Sequence, residues 1–159
     1  MLMMMNTSEV QSLAIKKVLN FDGVFPVNNL PITAKKEYRL IINTDTDNLP
    51  GVHWIAIIVR KDNTAYVFDP LGHPPSLFIQ NWLRMRNVQW SCNLRQVQPN
   101  DSTLCGLYCI FYLHFIDYNP LKYELFECVT NLLFPKHVPL SIHESTVYEV
   151  LKECNDNDD

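Results

Sequence analysis

A chain of 159 residues is long enough for one domain with a core of its own and too short for two comfortable ones. Hydrophobic residues make up 47% and charged residues 19%, the balance of a globular protein rather than a disordered one. The longest apolar run, inside 104–116, is broken by His114 and falls well short of the ~20 residues a membrane span needs. A net charge of −4 argues against a strong nonspecific hold on nucleic acid, leaving room only for a local basic patch.

The opening MLMMMNTSEV has no basic region, long apolar core or small-residue cleavage site, so no secretory signal is expected. Five cysteines (Cys92, Cys105, Cys109, Cys128 and Cys154) form an odd set without a CxxC pair. They read as reduced thiols of a cytosolic or nuclear protein. With no repeat and no linker, the chain is expected to be a single domain over 1–159, with an acidic solvated tail at 155–159.

Residues 8–19 fit an amphipathic helix opened by a Ser8 to Gln11 capping box, with Val10, Leu13, Ala14, Val18 and Leu19 near one face. Residues 21–37 read as loop. Three strands are expected next, at 38–43, 52–59 and 64–69, the last two joined by a hairpin turn over Arg60 to Asn63. Pro74 and Pro75 precede a helical pattern, LFIQNWLRMR, whose predicted buried side is Leu77, Phe78, Trp82 and Met85. A strand over 88–98 should then lead to Gln98. Residues 104–116 should form a helix buried on nearly every side, since hardly a polar residue interrupts them. Helices at about 121–133 and 142–153 follow, the latter opened by a Ser141 to Glu144 capping box. The order of elements is that of an α+β fold, a mixed central sheet packed with helices.

Cys105 follows the polar run PNDST and opens the apolar segment. At the N-terminus of a helix, free backbone N–H groups and the dipole favour a thiolate and can receive an oxyanion. Gly106 beside it leaves room for a substrate backbone. A cysteine in an apolar helix is nevertheless more often a small core residue.

His53, in GVHWIAIIV, shares a strand face with Ile55 and Ile57, while Val52, Trp54, Ala56 and Ile58 take the other. A histidine so placed is often structural. Asp69 ends the neighbouring strand in YVFDPLG, and the hairpin should make His53 and Asp69 cross-strand neighbours, as a base and its orienting carboxylate require. Gln98 should close a strand seven residues before Cys105, where its amide can donate to an oxyanion. The chain has four glycines, and three of them (Gly51, Gly72, Gly106) lie within three residues of His53, Asp69 or Cys105. Scarce flexible residues cluster at the proposed site.

The ordered set GVHW, FDPLG and QPNDSTLCGLYC closely resembles the adenovirus-type cysteine endopeptidase family. Its motifs look like G-x-H-W, F-[DE]-P-[FL]-G and Q-x-P-N-S-x-x-C-G-L-[FY]-C, and they fall here on His53, Asp69, Gln98 and Cys105. PND directly follows Gln98, where the family typically has G-P-N. The seven-residue step from Gln98 to Cys105 still agrees, whereas the related SUMO-specific proteases typically have a six-residue step ending in D-C-G. FDGVFPVNNLP, followed by a strand ending in IINT, also looks like the family's approach to its histidine strand. The motif-bearing part is about 18–118; the helical part 120–154 shows no useful match.

The resemblance implies an adenain-like fold, a rearranged relative of the papain arrangement, in which the nucleophile caps a central helix. It implies a cysteine-type endopeptidase, of a virus or a virus-like DNA transposon, that cuts capsid or core precursors near glycine for virion maturation. Catalysis would fall to His53, Asp69, Gln98 and Cys105, with Gly106 and Trp54 supporting substrate or oxyanion. Family members are stimulated by a disulfide-held peptide and by DNA. Here Cys92 lies only six residues before Gln98, nearer than the family's cofactor cysteine, and the acidic balance suits DNA poorly. No required cofactor, no metal and a monomer are therefore expected, acting in the virion or the host nucleus or cytoplasm. Two other classes compete: an isopeptidase for ubiquitin-like modifiers, and a zinc-stabilised binding module using Cys105, Cys109, His114 and Cys128, whose spacing lacks the usual knuckle or turn.

Overall fold

The computed structural model describes residues 5–32, 35–44 and 53–156; Gly51, Val52 and the end of the acidic tail lie outside them. The core element is a five-stranded mixed sheet in the order β1 (Gly23–Pro26), β2 (Tyr38–Asn43), β3 (Trp54–Val59), β4 (Thr64–Phe68) and β5 (Gln89–Cys92). β1 runs parallel to β2, β2–β3 and β3–β4 are antiparallel, and β5 returns parallel to β4. The β3–β4 turn carries Asn63 at φ 64°, with Arg60 N–H bonded to Thr64 O at 2.8 Å.

Alternation along β3 sorts the two faces. Trp54, Ala56 and Ile58 point into a large core shared with Tyr66, Phe68 and the helices α1 (Thr7–Lys17), α3 (Cys105–Ile116), α4 (Phe126–Leu133) and α5 (Leu140–Asp156). Ile55, Ile57 and Val59 point the other way, against Ile79 and Leu83 of α2 (Leu77–Met85). α3 lies against the sheet centre and is buried almost all round, as its composition demands. Stacked rings join it to the sheet, Phe68 and Tyr112 lying 4.4 Å apart between centroids and 9° from parallel.

Several local expectations are corrected. The buried stripe of α2 is Ile79 and Leu83, whereas Leu77, Phe78 and Met85 are exposed and Trp82 is half-buried. Leu19 is exposed as well, just beyond α1. α1 is capped by Asn6 rather than Ser8: Asn6 Oδ1 accepts Glu9 N–H at 2.9 Å and Asn6 Nδ2 donates to Glu9 Oε1 at 2.9 Å. The cap thus sits two residues earlier than expected, with Glu9 answering the Asn6 side-chain amide rather than its backbone N–H.

The presumed loop 21–37 contains β1, a short edge strand ending in Pro26, where a missing N–H does least harm. The strand expected over 88–98 stops at Cys92. The helix expected over 121–133 is a 3-10 turn at Leu121–Tyr123 followed by α4. α5 starts at Leu140, so Ser141 lies inside it, and Glu144 is engaged elsewhere.

Candidate active site

β3 and β4 converge on the site from one side of the sheet end, α3 from the other. Pairing between the two strands ends at Ala56 opposite Phe68. Continued, that register would set Asp69 opposite Ile55, so Asp69 and His53 are offset by two positions rather than directly paired. Their side chains still share a face and meet on the diagonal, His53 Nε2 donating to Asp69 Oδ1 at 2.7 Å. Both are largely enclosed, with side chains 17% and 8% exposed.

The carboxylate is held firmly. Asp69 Oδ1 also accepts Leu71 N–H at 2.8 Å, while Asn93 grips the Asp69 backbone through both its amide atoms. Gly72, at φ 74°, closes the turn with its N–H on Asp69 O at 2.8 Å. A Cβ there would stand 2.8 Å from Gln96 N and 2.9 Å from the carbonyl carbon of Arg95. Only glycine permits that approach. Pro70 O accepts the N–H groups of Val97 and Gln98 at 2.9 and 3.0 Å, which ties the turn after Asp69 to the segment bearing Gln98.

His53 titrates far from its ordinary range. Burial of the ring alone would lower its pKa, but hydrogen bonds with Asp69 and then Cys105, together with their charges, outweigh it and push His53 up to about 9. With Nε2 committed to Asp69, Nδ1 is the nitrogen left for the thiol. Cys105 is the first residue of α3, so its N–H belongs to the helical turn that has no internal acceptors. Its thiol is buried and unoxidised.

Gln98 does not close a strand. It lies in the loop after β5 and is buried, 1% exposed, with Nε2 donating to Ser102 O at 3.1 Å. An amide nitrogen carries two hydrogens, so one remains for a second acceptor. Gln98 Oε1 has no partner among the described residues.

Trp54 and Gly106 lie beneath the site. A Cβ on Gly106 would stand 3.0 Å from Val10 Cγ2 and 3.6 Å from Trp54 Cδ1, so the room this glycine makes is taken up by the core rather than open to a substrate backbone. Trp54 is 1% exposed and supports the start of α3 from below. A cavity of about 230 Å³ adjoins the His53–Asp69 pair, walled by Ile55, Val67 and Ile79, with His73 at its rim. His73 Nδ1 is 3.8 Å from Asp69 Oδ2 and its side chain is 69% exposed.

Asn93 is the participant that sequence reasoning missed. It stands 24 residues from Asp69, in no motif, and only the parallel return of β5 beside β4 brings it there. The residues of the zinc alternative are not assembled: Cys109 is core, Cys128 is exposed, and His114 Nδ1 bonds Lys17 O at 2.6 Å. Among the described residues no three His, Cys, Asp or Glu side chains are grouped to hold a metal ion.

Comparison with known proteins gives this geometry its context. The protease of bovine adenovirus C serotype 10 is 35% identical over 89 residues, an alignment taking in 46% of this chain and only 45% of that protein. The ovine adenovirus D serotype 7 protease is 29% identical over 157 residues, 86% of this chain and 78% of the relative. The selenomethionine crystal structure of the ASFV pS273R protease superposes with a TM-score of 0.50 at 16% identity, over 73% of this chain and 43% of that one. The chain therefore has the adenain-like fold. The adenovirus endoprotease family matches residues 20–158, running on through the C-terminal helices where the motifs themselves give out. The chain belongs to the adenovirus endoprotease family, a family of cysteine-type peptidases.

Proposed function

We propose that the protein is a cysteine endopeptidase that cuts viral or element-encoded structural precursors at Gly-containing sites during capsid or virion maturation. The observation that carries the reading is the His53–Asp69 hydrogen bond of 2.7 Å, poised beside a thiol at the first residue of a buried helix.

With the Cys105 proton carried by His53 as the imidazolium, the thiolate attacks the scissile carbonyl carbon. The oxyanion is received by the Cys105 N–H and the second N–H of Gln98 Nε2. The imidazolium, held by Asp69, then gives its proton to the leaving amine, and an acyl-enzyme remains. Water, deprotonated by the same imidazole, releases the acid and regenerates the thiol. Its substrates are proteins met in the virion or the infected cell.

Replacing Cys105 with Ala tests this. The parent protein should cut a Gly-containing peptide and a capsid-like precursor encoded beside it, and should be labelled by iodoacetamide at Cys105. The variant should do none of these. Cleavage by Cys105→Ala would sink the assignment, and release of a ubiquitin-like modifier in place of precursor cleavage would favour an isopeptidase.

A further inference from the structure

Glu144 lies in the early turns of α5, far along the chain from any motif. Its Oε1 accepts the hydroxyl of Ser102, inside the turn between Gln98 and Cys105. That hydroxyl oxygen also accepts Leu104 N–H at 3.1 Å, one residue before the nucleophile. The carbonyl of Ser102 accepts Gln98 Nε2 at 3.1 Å. One serine therefore holds the Gln98 amide and the residue just before Cys105, and Glu144 fixes that serine.

The neighbouring residue reinforces the grip. His143 is 3% exposed, with Nδ1 3.2 Å from Val97 O and Nε2 3.2 Å from Pro135 O, and its ring packs edge-on against Phe134. The start of α5 thus contacts the chain on each side of Gln98, through His143 before it and Glu144 after it. Ser102 O is the one acceptor fixing the orientation of the Gln98 amide, since Gln98 Oε1 is without a partner among the described residues. Wherever Ser102 sits, the second N–H of Gln98 is aimed accordingly.

We propose that Glu144 is a positioning residue for acyl transfer, holding Ser102 so that the Gln98 amide and the first N–H groups of α3 point at the developing oxyanion. This rests on the endopeptidase reading above. Glu144 touches no reacting atom. Misplacing a donor by about 1 Å costs on the order of 10²-fold in rate, and losing one outright costs roughly 10²–10³-fold.

Two reactions of the same thiol separate this role from simple support of the fold. Peptide cleavage passes through an oxyanion. Alkylation by iodoacetamide does not: the thiolate sulfur forms a bond to the methylene carbon as the carbon–iodine bond breaks and iodide leaves. Glu144→Ala should lower kcat on a Gly-containing peptide by roughly 10–100-fold with KM within about two-fold, while Cys105 alkylation stays within about two-fold. Glu144→Gln, whose amide oxygen still accepts from Ser102, should keep most of the activity. In a Gln98→Ala background, Glu144→Ala should cause a smaller further loss, because only the path through Leu104 N–H to the start of α3 remains.

Wild-type kcat in Glu144→Ala would overturn the proposal. So would a parallel fall in cleavage and alkylation, or an undiminished effect without Gln98. A parent protein whose Cys105 is alkylated but which cuts no peptide would overturn the endopeptidase reading along with it, a result distinct from failure of the Glu144 variant alone.

Discussion

Asn93 clasps the main chain of Asp69 from both sides, its Oδ1 accepting Asp69 N–H at 2.8 Å and its Nδ2 donating to Asp69 O at 2.6 Å. Asn93 is 1% exposed, so neither backbone group has water as a substitute. Asn93→Ala should cost about 1–3 kcal/mol for each buried group left unpaired, measured by urea denaturation. Cleavage should fall further than the folded fraction does, because the carboxylate that orients His53 loses its anchor. Unchanged kcat/KM in the folded variant would count against that coupling.

The raised pKa of His53 sets an alkaline limit. kcat/KM for peptide cleavage should decline with an apparent pKa of about 9, as the imidazolium that protonates the leaving amine is lost. Asp69→Asn should move that limb downward, toward the ordinary histidine value of about 6.5. Stability follows the same linkage. The folded protein binds the extra proton between about 6.5 and about 9, so stability tied to His53 is complete below about 6.5 and is lost as pH rises through about 9. Denaturation midpoints across that window, compared with those of Asp69→Asn, check the sign.

Gln98→Ala should reduce kcat by roughly 10²–10³-fold with little change in KM, the mark of a donor engaged only in the transition state. Iodoacetamide should still alkylate Cys105 at close to the parent rate. A loss confined to KM would assign Gln98 to substrate binding instead.

Gly72→Ala should be among the more damaging single-methyl changes in this chain. The residue sits at φ 74°, and the added Cβ would meet backbone at 2.8 Å, which cannot rotate aside. A cost of about 1–3 kcal/mol in thermal or urea unfolding is expected. Because the strain parts the Asp69 turn from the Gln96 backbone, activity should fall with it.

Activation by DNA or by a disulfide-held peptide should be absent. A net charge of −4 gives little drive for phosphate binding, so duplex DNA at low salt should leave kcat/KM unchanged within about two-fold. The Cys92 thiol is pushed up in pKa by burial first and by the charges of Asp69 and Glu127 after it, which makes it a poor partner for disulfide exchange near neutral pH. Cys92→Ser should therefore cleave like the parent. Stimulation of the parent by a thiol peptide, lost in Cys92→Ser, would reverse this expectation.

Elements built from local patterns were legible in the sequence. β2 at 38–43 coincides with its run of apolar residues, and α3 could hardly be anything but a buried helix given CGLYCIFYLHFI. The faces of β3 followed from alternation alone. The helix before the sheet return was harder. LFIQNWLRMR carries two overlapping apolar stripes, one through Phe78, Trp82 and Met85 and another through Ile79 and Leu83, and periodicity cannot say which meets the sheet. β1 went unread because a four-residue edge strand earns its identity from pairing with β2, not from its own composition.

The sequence by itself determined which residue types stand in which order: a histidine just before one strand of a hairpin, an aspartate just after the other, a glutamine, and a cysteine seven residues on at the mouth of an apolar helix. Those are properties of spacing and hydrophobic pattern, which act over a few residues. Only the tertiary structure decided that His53 and Asp69 meet on a diagonal, that Asn93 and Pro70 lock the aspartate turn to the Gln98 segment, and that α5 reaches back through Glu144 to Ser102. Those contacts join residues up to 42 positions apart, and no local preference encodes them. They exist because β5 returns parallel beside β4 and the C-terminal helices close over α3, placing polar groups together where water is excluded and most of them pair with one another.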